Sequence, residues 1–514
     1  MTNLSLPTSV SNVSGAGFYT FHAETAASRN RGLKLSALFA ALLWASSLQA
    51  VEPQQATIEQ TMKQAAEFYH RKVATHGGYV YHYSLDLSQR WGEGEATKDQ
   101  IWVQPPGTPT VGLAYLAAFD ATKDRFYLDA ATDCAKALVY GQVRSGGWTN
   151  CIDFNPRGER TSTYRNGRGR GRNTSSLDDG QTASALLLLI RTDAALRFRD
   201  SEIHEAVLFG LDALLAVQYP NGAFPQVWDD DQNPTPPIRK AEYPQYDWRT
   251  EGRIKNYWDM YTLNDNVPGY VLNALEAAAQ VYEDDRFMDS IRRLGDFLIL
   301  AQMPDPQPGW AQQYNYDMNP IWARKFEPPA VSGDETQEAI ETLLKIHLLT
   351  GDLKYLAPVP RALKYLERSE LPDGRLARYY ELQTNRPLYM ERSGDRYSLT
   401  YDDTNLPDHY GWKTEARITE LQDKYEGLLE QAKIRASPPQ VDDAASTVPS
   451  AEVERLLRDL DDQNRWVSEF TGERLVGQLK LPVGTKYLSS DVFSRNLTTL
   501  SRYLQQKQAS ERTR

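Results

Sequence analysis

Apolar residues recur every three or four positions through much of the chain. Val111, Ala114, Tyr115 and Ala118 fall on one helical face, as do Leu186, Leu189, Ile190 and Ala194. Four segments share one plan, at 108–148, 179–224, 265–310 and 334–380. Each has an apolar helix, a short turn with an acid, a second helix, and a glycine-containing turn before an aromatic residue. The turn acids are Asp124, Asp200, Asp285 and Asp352, which read as N-caps of the second helices. The turn glycines are Gly147, Gly222, Gly309 and Gly374, and the two sets of markers drift together along the chain. One hairpin cannot bury its apolar face alone, so neighbours must stack. The pattern predicts an all-α fold of repeated helical hairpins, either an open superhelix or a closed α/α toroid. Its long loops, rich in Trp, Tyr, Asp and Arg, should gather the chemistry at one end.

The pattern also divides the chain. Arg29, Arg31 and Lys34 precede the short apolar run Leu35–Leu48, and the stretch closes on Ala50. That layout over about 29–50 predicts a secretory signal peptide, within a leader spanning 1–50, and hence a secreted or periplasmic protein. The hairpins occupy 51–430. Residues 431–450 read as a linker rich in Pro, Ser and Asp, and 451–514 form a small C-terminal extension. Within that extension 451–463 and 494–507 look helical, and RWVSEFTGERLVGQL could pair as short strands.

The formal net charge of −11 argues against general nucleic-acid binding. A polyanionic substrate would need a local cationic site or a bound metal. Cys134 and Cys151 are the two cysteines, and the sequence leaves open whether they pair. The seven histidines show no zinc-ligand spacing, and no strand precedes the Gly- and Arg-rich run at 167–172.

Acids and arginines in the loops remain. Asp178 and Asp179 open a helix in SSLDDGQT, and Asp265 stands at the corresponding point of TLNDN one repeat later. N-capping accounts for any one of them, yet two repeats place carboxylates near one end of the scaffold, and hard oxygen ligands from separate loops suit calcium. Arg324, Arg378, Arg386 and Arg392 stand among Trp322, Phe326, Tyr379, Tyr380 and Tyr389. Planar donors beside aromatic rings suit sugars that carry carboxylates.

Several motifs, in order from about residue 57 to 413, resemble the pectate lyases of polysaccharide lyase family 10. They include GQVRSGGWTNCIDFNP, SSLDDGQTASALLLL, NGAFPQVW, TLNDNVPGYVLNAL, WAQQYNYDMNPIWARKFEPPAVSGDET and LARYYELQTNRPLYMERSGDRY. The resemblance implies an α/α toroid that needs calcium and cleaves polygalacturonate by anti β-elimination. It makes Asp178 and Asp265 the central carboxylates and calcium ligands, with Asp178 also counted as catalytic. It makes Arg324 the base, and Arg378 and Arg392 the substrate-binding arginines; Arg386 and Trp322, in the same loops, are further candidates for substrate binding. An arginine base requires a neutral guanidinium, which only crowding by cations and desolvation could supply; a nearby lysine or tyrosine is the alternative base. Asn266 stands where the family commonly has a second acid, and the insertion at 229–257 departs from the family pattern, with Lys255 its candidate substrate contact. Two other readings stay open: a toroid glycoside hydrolase acting on uronic-acid oligosaccharides with Asp178 and Asp265 as its carboxylate pair, or a non-catalytic helical-repeat binding protein.

Overall fold

The computed structural model describes residues 54–230, 234–434 and 447–512. The signal peptide expected at 29–50 and most of the expected linker lie outside the described residues. The repeated hairpins appear as α2 (Thr108–Thr122) with α3 (Arg125–Gly141), α4 (Gln181–Ala195) with α5 (Ser201–Ala216), α6 (Val267–Val281) with α7 (Asp285–Ala301), and α8 (Gly333–Thr350) with α9 (Val359–Ser369). The first helices pack in sequence, α2 on α4, α4 on α6 and α6 on α8, and each second helix backs its partner from outside. The fold is an all-α toroid.

Composition decides which helix goes inside. Helix α4 buries Ala183, Ala185, Leu186, Leu188, Leu189 and Ile190, apolar on nearly every side, as an inner helix must be. Helix α9 buries Val359, Ala362, Leu363, Tyr365 and Leu366 on one stripe and exposes Arg361, Lys364 and Glu367 on the other. Two of the turn acids cap the second helices as expected: Asp124 accepts from the Phe126 N–H and Asp200 from that of Ile203. Asp352 accepts from the Lys354 N–H but caps a short 3-10 turn, Leu353–Leu356, whereas α9 begins later, at Val359 after Pro358, whose fixed φ suits a helix start. In the third hairpin the cap is Asp284, one residue before the expected Asp285. Asp284 has the extended backbone a cap requires, and its carboxylate accepts from the Arg286 N–H at 2.9 Å, whereas Asp285 already lies in the helix. Gly222 sits at φ +94°, where a Cβ would come 1.8 Å from the Arg293 carbonyl oxygen, so this turn admits only glycine.

Helix α1 (Gln55–Phe68) precedes a small sheet begun by β1 (His82–Ser84), β2 (Arg90–Gly92) and β3 (Gly94–Glu95). The C-terminal extension completes that sheet. Its strand Lys486–Ser489 pairs antiparallel with β1, placing Ser489 opposite His82, and Val467–Glu469 pairs outside it. Following α10 (Ile418–Ile434) and α11 (Ser450–Arg458), α12 (Ser490–Arg512) lies along α2 and touches α1. Phe493 of α12 stacks on Tyr69 with ring centroids 3.9 Å apart, and His82 Nε2–H donates to the Val476 carbonyl at 3.0 Å. The extension is thus bound into the beginning of the chain.

A four-stranded sheet joins Ala330–Ser332, Tyr379–Glu381, Pro387–Ser393 and Arg396–Thr400 beside the end of the toroid where α8 begins. The insertion at 229–257 is tied to it by an ion pair from Arg249 to the buried Glu381. Cys134 and Cys151 are both buried free thiols. Among the described residues no helix is long and apolar enough to cross a membrane.

Candidate active site

The N-terminal ends of α4, α6 and α8 meet, and each carries acids. A turn at Asp178–Gly180 leads into α4, a turn at Asn264–Asn266 leads into α6, and the two turns touch. Their backbones match residue for residue. Leu177 and Leu263 have φ/ψ of −98/−7° and −110/−18°; Asp179 and Asp265 follow at +46/+30° and +52/+35°; Gly180 and Asn266 follow at +72/+18° and +55/+35°. The counterpart of Asp265 is therefore Asp179, while Asp178 corresponds to Asn264. Asn266 occupies the position of Gly180 and caps α6 by accepting from the Gly269 N–H at 3.2 Å. It serves the helix, so the missing family acid at this position leaves the carboxylate cluster intact.

Carboxylate oxygens of Asp178, Asp179 and Asp265 lie within 4.8 Å of one another. Burial pushes the Asp265 carboxyl well above its ordinary range, and the neighbouring Asp178 adds to this; Arg324 and Arg378 pull the other way. Burial likewise raises Asp179, and Asp265, Asp178 and Glu93 reinforce it. Few bonds satisfy these groups: Gln226 donates to Asp178, Asn264 to Asp265, and Gln104 to Asp179 at 2.8 Å. Asp265 Oδ1 is buried with no partner. Clustered anionic oxygens with one left unpaired fit a hard divalent cation, whose oxygen ligands stand about 2.3–2.6 Å from the ion in the case of calcium.

Opposite the acids is Arg324. Glu327 Oε2 accepts from its Nε at 2.7 Å and from its backbone N–H at 2.9 Å, and Glu327 Oε1 accepts from Nη2. Burial works against the guanidinium charge, but Glu327, with Tyr410 and Asp265, holds Arg324 well above its ordinary range. Tyr410 O–H donates to Glu327 Oε1 at 2.9 Å. Asp178, Asp265, Arg324 and Glu327 line one small polar pocket, whose walls are completed by Gln226, Tyr257, Asn264, Gln312 and Gln313.

The other sequence-expected residues are placed differently. Arg378 is 4% exposed; its Nη1 donates to Asp334 at 2.9 Å and its Nη2 to Glu335 at 3.1 Å, so it braces the start of α8 from inside. Trp322 is fully buried: its Nε1–H donates to the Trp248 carbonyl at 2.7 Å and the Arg253 guanidinium lies 3.8 Å from its ring, so it packs the insertion in place and presents no open face. Arg392 and Arg386 are exposed on the sheet, the first donating to the Gly394 carbonyl at 2.9 Å and the second stacked 3.4 Å over Tyr401. Lys255 is exposed, two residues before Tyr257 of the pocket. The structure thus brings Asp178, Asp265 and Arg324 together and sets Arg378, Arg386, Arg392, Trp322 and Lys255 outside the pocket walls.

Sequence reading missed Glu327, Tyr257, Gln226 and Glu93. Two had a signal, since Glu327 stands three residues after Arg324 within ARKFE and Gln226 lies in NGAFPQVW. Glu93 and Tyr257 had none, because only the fold brings them here.

No curated protein matches the chain. A family 10 polysaccharide lyase from Cellvibrio cellulosa, a variant solved in complex with trigalacturonic acid, aligns at 20% identity over 62% of this chain and 98% of its own, with a TM-score of 0.43. A D-mannose isomerase aligns at 13% identity over 88% and 98% of the two chains, with a TM-score of 0.46. A cellobiose 2-epimerase from Spirochaeta thermophila aligns at 16% over 88% and 98%, with a TM-score of 0.45. The model of the family described as pectic acid lyase matches residues 142–373, a span that holds Asp178, Asp179, Asp265, Arg324 and Glu327. Over that span this chain resembles the pectic acid lyases, the pectate lyases of polysaccharide lyase family 10.

Proposed function

We propose that the protein is an exported pectate lyase that cleaves α-1,4-polygalacturonate by calcium-assisted β-elimination, leaving 4,5-unsaturated oligogalacturonates. The observation that carries this reading is the carboxylate cluster facing a buried arginine in one pocket, within the segment that matches the family model. Asp178, Asp179 and Asp265 would hold the ion. Bound there, calcium supplies positive charge that neutralises the uronate carboxylate and makes the adjacent C5 proton easier to remove.

The elimination breaks the C5–H and C4–O4 bonds and forms a C4–C5 double bond; the leaving O4 takes up a proton from water, and the proton that reaches the Arg324–Glu327 pair returns to water after turnover. Arg324 receives the C5 proton only after losing one of its own. Glu327 is in hydrogen-bond contact and is the group able to take it. On ordinary pKa values that transfer spans about 8 units, or about 11 kcal/mol, a large part of the barrier of about 16 kcal/mol for an enzyme turning over some ten times per second. As placed, Glu327 holds Arg324 above its ordinary range and so widens that gap; calcium held by the neighbouring acids is what would have to narrow it. Arg386, Arg392 and Lys255, exposed outside the pocket walls, would contact carboxylates of a longer chain, and Arg378 would act from within through Asp334 and Glu335.

The clustering favours this reading over the hydrolase. Three acids bring oxygens within 4.8 Å of one another, closer than the carboxyl groups of an inverting hydrolase, which stand about 6.5–9.5 Å apart; a retaining pair, at about 5–5.5 Å, is told apart by its products. The test is ultraviolet absorbance of polygalacturonate incubated with the protein, with calcium and then with excess chelator. A rise that chelator halts supports the lyase; new reducing ends without the absorbance would support the hydrolase.

A further inference from the structure

A fourth carboxylate stands beside the first three. Glu93, at the tip between β2 and β3, faces Asp178 and Asp179 closely enough that burial and the Asp178 charge raise its carboxyl. Its Oε2 accepts from Asn150 Nδ2 at 2.9 Å. Gln104 lies between Glu93 and Asp179, and its Nε2 donates to Glu93 Oε1 at 3.4 Å and to Asp179 Oδ2 at 2.8 Å. Gln104 is 2% exposed, and its Oε1 is buried without any partner. A buried acceptor left unpaired beside two carboxylates is costly. Turning the same amide by half a revolution exchanges Nε2 and Oε1 and brings that oxygen between the two carboxylates.

Charge points the same way. Arg324 is committed to Glu327, and Arg378 to Asp334 and Glu335. One divalent ion among the four carboxylates of Glu93, Asp178, Asp179 and Asp265 leaves two negative charges facing a polyanionic substrate. We propose that the site takes a second divalent cation, held by Glu93 and Asp179 together with the side-chain oxygen of Gln104. The inference rests on the calcium reading of the first cluster and extends it. Two neighbouring ions would present positive charge to successive carboxylates of a uronate chain. The second ion would also join the toroid to β2 and β3, the part of the chain that the C-terminal extension holds.

Calcium titration of the full chain by calorimetry, without substrate, tests this. Two ions are expected for the native protein, one for Glu93→Gln and one for Asp265→Asn, while Gln104→Met weakens the ion lost in Glu93→Gln about tenfold. Melting temperatures in chelator show whether each variant is folded. A single ion in the native protein, whether or not Glu93→Gln weakens it, overturns the second site and leaves the lyase reading intact. No calcium binding together with no unsaturated product would overturn the lyase reading itself, and this inference with it.

Discussion

Glu327 holds Arg324 at three points, accepting from its backbone N–H, its Nε and its Nη2 with one carboxylate. The two side chains are 2% and 13% exposed, so the pair is out of water and stays charged. Substrate entering the pocket meets an ion pair and not a free guanidinium.

If that pair carries the proton, Glu327→Gln lowers kcat by at least about a hundredfold, as loss of a proton-transfer partner commonly does, while KM changes little. Arg324→Ala abolishes turnover and leaves oligogalacturonate binding largely in place. Steady-state kinetics with calorimetric binding separates the two quantities. An unchanged kcat in Glu327→Gln would remove Glu327 from the mechanism. The same variant should also unfold more easily, because breaking a buried pair costs about 3–5 kcal/mol.

Asp265→Asn is expected to have opposite effects with and without calcium. Burial and Asp178 oppose ionisation of Asp265, so removing its charge relieves repulsion and raises the melting temperature in chelator. With calcium present the variant loses the stabilisation that ion binding gives the native chain, and its lyase activity falls with it. Melting curves with calcium and with chelator check both arms.

His82 gives an acid-side prediction. Burial pulls its pKa down to about 4, against the pull of the Val476 carbonyl and Glu473. Above pH 6.5 the imidazole is neutral in both folded and unfolded chains. As pH falls from 6.5 towards 4 the unfolded chain gains a proton that the folded one resists, and stability drops by up to about 3 kcal/mol. Unfolding midpoints measured across that range should show this slope, and His82→Gln should flatten it.

Leu500 is fully buried in α12, the helix that lies along α2. Leu500→Ala should cost about 2–5 kcal/mol in urea unfolding. A loss below about 0.5 kcal/mol would mean that the extension contributes little to the fold.

The hairpin repeat was legible in sequence because each inner helix must be apolar over most of its surface and each outer helix over one stripe. The first three caps were legible to within a residue; Asp284 rather than Asp285 shows the limit, since two adjacent acids offer the same chemistry and only backbone angles choose between them. The fourth was not, because a 3-10 turn intervenes between Asp352 and α9. Asp178, Asp265 and Arg324 were found through their motifs. The burial of Trp322 and Arg378 was not, because composition does not tell which aromatic or arginine a neighbouring loop will cover. Nor was Glu93 visible, since it reaches the acids across 85 residues of chain through a hairpin that the far end of the protein holds in place.

The twin kinks before α4 and α6 also bear on the margin by which the molecule stays folded. Asp179, Asp265 and Asn266 adopt a left-handed backbone, a conformation that Asp and Asn tolerate better than other residues with a side chain but less well than glycine. Each therefore draws a little on the net stability of about 5–15 kcal/mol of ordinary domains. The first kink already has glycine at its last position, Gly180; the second has Asn266 there. The two copies of this turn have therefore not been relieved to the same degree, and thermal hardening of the protein has an obvious starting point that lies beside, but not on, the acids themselves.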